Sequence, residues 1–120
     1  MKNRPFRERL GFAVAGLRAV WKRELSFRTH CLFGGLALAA LVVFRSPPVW
    51  WAIVAVVTAL IFALELLNSA LEALIDLLHP GYHPEIKAIK DMVAGAVLVM
   101  SIAALCVALA LFVDWLVFRT

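Results

Sequence analysis

Charged residues are scarce in this 120-residue chain, where Asp, Glu, Lys and Arg together make up 17% and hydrophobic residues make up 64%. Mean hydropathy is +0.94. A soluble domain of this size has a large surface relative to its volume and needs polar groups to cover it. The shortage of charge excludes an ordinary soluble globule and a disordered chain, and it favours a single integral membrane domain over residues 1–120.

Cysteines and the familiar nucleotide-binding motifs are also scarce. Cys31 and Cys106 lie far apart in apolar stretches, which excludes a disulfide framework or a zinc cluster and predicts two buried small side chains. Neither G-x-x-x-x-G-K-[ST] nor G-x-G-x-x-G occurs, and Ser69 has no nearby histidine to activate it as in a serine hydrolase. A cleaved leader is not expected, because the first apolar run begins near residue 31.

Three uncharged stretches, at 29–44, 46–64 and 92–113, have 16, 19 and 22 residues. About 20 helical residues cross a bilayer core of about 30 Å. With their flanks, the stretches predict membrane-spanning helices over 29–45, 48–78 and 89–116. The breaks between them are Pro47-Pro48 and the turn signal that begins at His79-Pro80.

The basic residues predict the orientation of the chain. Residues 1–28 carry a net charge of +6, whereas the remainder carries −2. Lys and Arg accumulate on the cytoplasmic side of membrane proteins, which explains the basic leader better than nucleic-acid binding does. The N-terminus and the 79–91 loop are therefore expected in the cytoplasm, and the Arg45 loop and the C-terminus outside.

An apolar stripe runs along residues 6–27 at helical spacing, and basic residues cover much of the remainder. The pattern predicts an amphipathic helix on the cytoplasmic membrane surface. A simple anchor is the alternative. The stripe consists of Leu10, Val14, Leu17, Trp21 and Leu25.

Most of the acidic residues gather at one membrane interface. The second helix rises about 25 Å between residues 48 and 64, so Glu65 is expected at the inner edge of the hydrocarbon. Glu24 and Asp91 begin the other two spans on the same side. Glu72, Asp76 and Glu85 are expected farther into the cytoplasm.

Five polar residues of the second helix share one face about 100° wide: Glu65, Asn68, Ser69, Glu72 and Asp76. Such a stripe in a membrane must face protein or water. It could serve only to hold helices together, but aligned carboxylates repel one another and favour a cation such as Mg²⁺. Lys90 adds a charge suited to phosphate. The set favours metal-nucleotide chemistry on a lipid headgroup, with Glu65 as general base.

The segment ELLNSALEALID at 65–76 matches the pattern E-x-x-N-[ST]-A-x-E-x-x-x-D. Together with the pairs Lys90-Asp91 and Tyr82-His83, and with GLRAVW at 16–21, it resembles the prokaryotic diacylglycerol kinase family. The resemblance implies an all-α membrane protein of the bacterial inner membrane. It implies three transmembrane helices, an N-terminal amphipathic surface helix and a homotrimer whose sites are shared between neighbouring chains.

The resemblance also implies the reaction and the residues that carry it out. The γ-phosphate of ATP, accompanied by Mg²⁺, would pass to a lipid hydroxyl, with Glu65 as catalytic base and Glu24 and Glu72 holding the metal. The implied nucleotide-binding residues are Phe12, Asn68, Gly81, Tyr82, His83, Lys90 and Asp91. The implied lipid-binding residues are Arg18, Trp21, Phe27, Arg28, Ser69 and Ala94.

The chain departs from the family pattern at three positions. Phe12 stands where the family often has tyrosine, Pro5 where it has an arginine that contacts the nucleotide, and Ala94 where a serine follows the Lys-Asp pair. These departures concern nucleotide contacts rather than the reaction.

Two acceptor lipids stay open. Arg18-Ala19-x-Trp21 is similar to the diacylglycerol branch of the family, the preferred interpretation, and Phe27-Arg28-x-His30 is similar to the undecaprenol branch. A small multidrug/proton transporter would have four spans and a carboxylate near mid-bilayer, and a non-catalytic assembly subunit would not need aligned acids.

Overall fold

Four α-helices follow one another in a computed structural model that describes residues 3–118. α2, α3 and α4 with its extension are each long and apolar enough to cross a membrane, and no strand occurs in the described residues. The protein is therefore an all-α, multi-pass membrane protein. The helices are α1 (Phe6–Arg23), α2 (Leu25–Val43), α3 (Pro48–Leu78) and α4 (Pro84–Val113), and a π-helical turn covers Asp114–Phe118.

Proline sets the start of two helices. Pro48 is the first residue of α3, after Pro47 in an extended conformation, and Pro84 is the first residue of α4. Proline suits this position because its missing N–H would have no partner in the first turn. α3 has the bounds expected from the sequence, whereas α4 begins five residues before the predicted residue 89. The first turn of α4, which begins at Pro84, is therefore helical as well.

The expected surface helix over 6–27 is interrupted at Glu24. This residue is extended (φ −114°, ψ 110°), so α1 ends at Arg23 and α2 begins at Leu25, earlier than the predicted residue 29. The Glu24 N–H still donates to the Val20 carbonyl at 2.9 Å, and Val20 is buried. The chain therefore turns sharply between α1 and α2 without glycine or proline.

α2 ends in a Schellman motif built around Arg45. Its φ of 51° lies in the left-handed region, and the Ser46 N–H donates to the Leu41 carbonyl at 3.0 Å, while the Arg45 N–H donates to Val42 at 3.1 Å. These two bonds satisfy carbonyls that the last turn of a helix otherwise leaves free. α2 and α3 are thus joined by a very short link.

The buried apolar core lies beside this link. Leu41, Val54 and Leu111, from α2, α3 and α4, form one cluster. Phe44 stacks on Trp115 beside it, with ring centroids 4.7 Å apart. Apolar contacts therefore hold the three spans together at the end of the molecule opposite most of the acidic residues.

Most other apolar side chains face outward, as they do where lipid replaces water. Leu105 is 70% exposed. The sequence predicted two buried cysteines, and this was wrong for Cys106, which is exposed, whereas Cys31 is partly buried. An exposed thiol is tolerated on α4 because that face of the helix is apolar.

Candidate active site

A buried polar segment continues the apolar stripe of α3. Val54, Ile61, Glu65 and Ser69 are the buried residues of this helix, and at 100° per residue they lie within about 80° of one another. Glu65 is only 4% exposed and Ser69 only 6%. One face of α3 therefore packs against its neighbours throughout and changes from apolar to ionisable at Glu65.

Glu65 makes its contact with another span. Oε1 of its carboxylate is paired with Nδ1 of His30 on α2. A carboxylate accepts but does not donate, so the histidine ring is the donor in this pair. The second oxygen, Oε2, is buried and has no hydrogen-bond partner within the described residues. One oxygen of Glu65 is thus held by the protein and the other is available to a ligand.

Glu24 approaches the same face of α3 from the turn between α1 and α2. Its Oε1 accepts a hydrogen bond of 3.2 Å from the Ser69 hydroxyl. Ser69 lies one turn beyond Glu65 and one turn before Glu72. The Ser69 bond therefore brings a carboxylate from outside α3 between the levels of two carboxylates on α3.

These groups border a small cavity of about 180 Å³. Asn68 is partly buried in its wall, and its side-chain oxygen has no partner within the part of the chain that the structure describes. The cavity thus offers two unpaired acceptors, Oε2 of Glu65 and Oδ1 of Asn68, beside small apolar side chains of α4. Its lining residues are Glu24, Ser26, Glu65, Asn68, Ala94 and Val97.

Ion pairs extend the polar region toward the loop between α3 and α4. Lys90 donates to Asp76 at 2.6 Å, which links α4 to α3. Lys87 donates to Asp91, also at 2.6 Å and within α4. Lys90 is 33% exposed and the other three side chains are at least 60% exposed, so solvent weakens the pairs.

The loop itself is ordered by its histidines. The His83 Nδ1 accepts the Glu85 N–H at 3.1 Å and caps α4, and His79 Nδ1 donates to the Gly81 carbonyl at 3.1 Å. Tyr82 between them is 79% exposed. The ring of Tyr82 is therefore presented at the surface on the side of the molecule that carries the acidic residues.

Comparison with known proteins identifies the origin of this arrangement. Residues 11–112 match the sequence profile described as Prokaryotic diacylglycerol kinase. The chain belongs to the prokaryotic diacylglycerol kinase family. The match runs from the first half of α1 nearly to the end of α4, so it includes every helix that borders the cavity.

Three relatives show the range of the family. A Synechocystis protein named Diacylglycerol kinase is 36% identical over 97 residues, which is 80% of this chain and 55% of the relative. A Bacillus subtilis protein named Undecaprenol kinase is 33% identical over 104 residues, 84% of each chain. A Diacylglycerol kinase of Escherichia coli is 34% identical over 101 residues, covering 78% of this chain and 77% of the relative. The chain thus spans only about half the length of its Synechocystis relative.

Some of the expected catalytic, metal-binding and substrate-binding residues lie together around the cavity. Glu24, Glu65, Asn68 and Ala94 line it. Ser69 lies outside the lining and donates a hydrogen bond to Glu24. The structure holds no group of three or more His, Cys, Asp or Glu side chains placed to bind a metal within residues 3–118. A metal ion at the expected pair, Glu24 and Glu72, would therefore need further ligands besides these two carboxylates.

Other expected site residues lie away from the cavity in the single chain. Phe27 is buried against the ring of Phe62, with centroids 5.2 Å apart, and Arg28 is exposed one residue farther along α2. Phe12 and Trp21 are exposed on α1. Arg18 borders an open, basic depression along α1 rather than the cavity. Lys90 and Asp91 are engaged in ion pairs, with Asp76 and Lys87.

Sequence reasoning missed three residues of the site: His30, Ser26 and Val97. A signal for His30 was present, because a titratable side chain within a membrane span marks a functional site by default. In the sequence, however, His30 lies within an uncharged stretch, and its resemblance to one family branch gives it no role in catalysis. Nothing in the sequence distinguishes Ser26 or Val97, because these two residues reach the cavity only through the packing of their helices.

Proposed function

We propose that the protein is an ATP-dependent lipid kinase that transfers the γ-phosphate of ATP to the hydroxyl of diacylglycerol, giving phosphatidic acid. Family membership supports this class of reaction. The single observation that carries the proposal is Glu65, a buried carboxylate with one oxygen held by His30 and the other unpaired beside a cavity.

Glu65 is suited to act as the general base. Oε2 accepts the proton of the lipid hydroxyl as the hydroxyl oxygen attacks the γ-phosphorus of ATP. The bond between the γ-phosphorus and the bridging oxygen breaks, and ADP leaves with that bridging oxygen. A base must lie within hydrogen-bond reach of the proton that it removes. Oε2 has no partner among the described residues, so it can meet this requirement without breaking one of their hydrogen bonds. Asn68 supplies a second acceptor that orients the alcohol or the nucleotide.

Glu24 and Glu72 fit a magnesium ion brought by the nucleotide. Mg²⁺ is commonly held by one or two carboxylates, with phosphate and water completing its shell. Ser69 holds Glu24 against α3 one turn from Glu72, so the two carboxylates approach one surface of that helix. When bound, the ion neutralises charge on the transferring phosphate.

The nucleotide contacts require a change of partners. Lys90 pairs with Asp76 in an exposed bond, and exposed pairs contribute only about 0–1 kcal/mol. A triphosphate therefore competes readily for the Lys90 ammonium. Asp91, Phe12 and the loop formed by Gly81, Tyr82 and His83 complete the proposed nucleotide site.

One chain encloses too little space for both substrates. The cavity of about 180 Å³ is below the roughly 300–1,000 Å³ typical of small-molecule sites. Outward-facing apolar surfaces on all three spans leave room for contact with further copies. We therefore propose a homotrimer whose neighbours supply the remaining walls, in a bacterial inner membrane with the N-terminus in the cytoplasm and α1 on the membrane surface.

Undecaprenol is the second candidate acceptor. The Bacillus subtilis relative named Undecaprenol kinase covers 84% of this chain, more than the relatives named Diacylglycerol kinase. The transporter alternative finds less support. The described residues contain three candidate spans rather than four. Glu65 lies about 25 Å along α3 from Pro48, which would put it near the inner edge of a hydrocarbon core about 30 Å thick rather than at mid-bilayer.

Side-by-side phosphate transfer tests both acceptors. The purified protein is reconstituted in vesicles with Mg²⁺, ATP labelled at the γ-phosphate, and either diacylglycerol or undecaprenol at equal mole fraction. We expect label in the lipid extract, with a higher kcat/KM for diacylglycerol, and none after chelation of Mg²⁺. A preference for undecaprenol would replace the acceptor, and transfer to neither lipid would overturn the kinase proposal.

A further inference from the structure

His30 is the one described residue that forms a hydrogen bond with the buried carboxylate of Glu65. It lies on α2, 35 positions from Glu65 in sequence, and its Nδ1 is paired with Oε1. The His30 side chain is 25% exposed and that of Glu65 is 5% exposed. A contact between two membrane spans at this burial holds both groups, because few alternative rotamers or water molecules compete for it.

Packing on both sides fixes where the His30 ring lies. One turn earlier on α2, the Phe27 ring packs on Phe62 of α3. One turn later, a methyl group placed on Gly34 would lie 3.6 Å from Cγ2 of Thr58, so the two helices are in contact there as well. His30 therefore meets Glu65 between two points of close packing.

The pairing leaves the two oxygens of Glu65 different. Oε1 is engaged by His30, whereas Oε2 is buried and has no partner among residues 3–118. Glu65 borders the cavity, although His30 does not. A freely rotating carboxylate would present either oxygen to a ligand, in several orientations. With Oε1 fixed, the carboxylate plane is fixed and only Oε2 is left for a ligand.

We propose that His30 is the positioning residue of Glu65: by donating from Nδ1 to Oε1, it aims Oε2 at the acceptor hydroxyl. This inference rests on the proposed function and assigns His30 no contact with substrate. Misplacement of a reacting group by about 1 Å costs about 100-fold in rate. Loss of the His30 donor should therefore lower turnover while leaving substrate binding intact.

Three substitutions at position 30 test the inference in the full-length protein in vesicles. His30→Leu removes the donor at similar size. His30→Asn carries an amide nitrogen near the place of Nδ1, and His30→Gln carries one near Nε2, away from Oε1. Thr29→Val is the matched control, because the Thr29 hydroxyl is exposed and bonds only the Leu25 carbonyl of its own helix.

We expect His30→Leu to lower kcat about 10- to 100-fold, with the KM values for ATP and lipid changed less than about twofold. His30→Asn should recover most of kcat, His30→Gln should recover little, and Thr29→Val should match the wild type. If His30→Leu does not fold, the difference in kcat between His30→Asn and His30→Gln still tests whether His30 positions Glu65.

The outcomes separate the two proposals. A wild-type protein that phosphorylates no lipid would overturn the kinase proposal itself. An active wild type whose His30→Leu variant keeps kcat within twofold would overturn the role of His30 alone. Equal kcat in the Asn and Gln variants would also overturn it, because a side chain that only fills space does not depend on where its nitrogen lies.

Discussion

The Ser69 hydroxyl of α3 donates a hydrogen bond of 3.2 Å to the Glu24 carboxylate. Glu24 is the single extended residue between α1 and α2, and its side chain caps neither helix. Ser69 therefore determines where this carboxylate lies relative to Glu65 and Glu72, and the position of a proposed metal ligand depends on one neutral side chain.

Ser69→Ala should weaken the binding of Mg²⁺ rather than slow the phosphate-transfer step itself. We expect the Mg²⁺ concentration for half-maximal activity to rise about 10-fold, as is typical when the hydrogen-bond partner of a metal ligand is removed. Ser101→Ala is the matched control, because that hydroxyl bonds the Val97 carbonyl within α4. A magnesium titration of lipid phosphorylation checks both variants, and equal midpoints would contradict the prediction.

Glu65→Gln should abolish turnover while nucleotide binding survives. The amide has nearly the shape of the carboxylate but cannot accept a proton, so we expect kcat to fall at least about 100-fold. Glu8→Gln is the control, since Glu8 forms only an exposed ion pair with Arg4. ATP binding is measured by equilibrium titration, and full activity of Glu65→Gln would remove Glu65 from the mechanism.

Lys90 and its partner Asp76 should behave differently when each is neutralised. Lys90→Met should raise the KM for ATP about 10-fold, because a phosphate contact is lost. Asp76→Asn frees the lysine and should leave that KM unchanged or lower it. Lys87→Met, in the exposed pair with Asp91, serves as control. Steady-state kinetics over ATP concentration decide, and equal effects of Lys90→Met and Asp76→Asn would indicate a purely structural pair.

Leu41→Ala should destabilise the protein without touching the site. Leu41 is 1% exposed within the apolar cluster, and truncation of a buried leucine costs about 2–5 kcal/mol. Leu32→Ala, at a 62% exposed position of the same helix, should cost far less. Thermal unfolding in detergent compares them, and similar melting temperatures would contradict the assignment of this cluster as the core.

Local signals in the sequence predicted α3 well and the start of α2 badly. Pro48 opens α3 and the His79-Pro80 turn follows it, and both can be recognised from sequence alone. The break at Glu24 has no such residue, because its extended backbone is accompanied by a contact with Ser69, 45 positions away. The predicted start of the last span at residue 89 is five residues too late, because the prediction follows apolar composition whereas the helix begins at Pro84 behind the His83 cap.

The candidate site was predictable along one helix but not between helices. Helical periodicity alone puts Glu65, Asn68, Ser69 and Glu72 on one face of α3. The partners of that face come from other helices, and their identity depends on the position of each span along the axis of its neighbour. The His30–Glu65 pair and the Glu24–Ser69 bond follow from that packing, which periodicity does not specify.

The short link at Arg45 joins α2 and α3 at one end and leaves their opposite ends, near Glu24 and Glu65, farther from this fixed point. The joined end is fixed by the Schellman motif and clamped by Leu41, Val54 and Leu111. A small change of angle between the two helices therefore produces little displacement there and the largest displacement at the opposite tips, near Glu24 and Glu65. A change of angle on lipid binding would therefore widen the cavity near Glu24 and Glu65, whereas the end near Arg45 would stay packed.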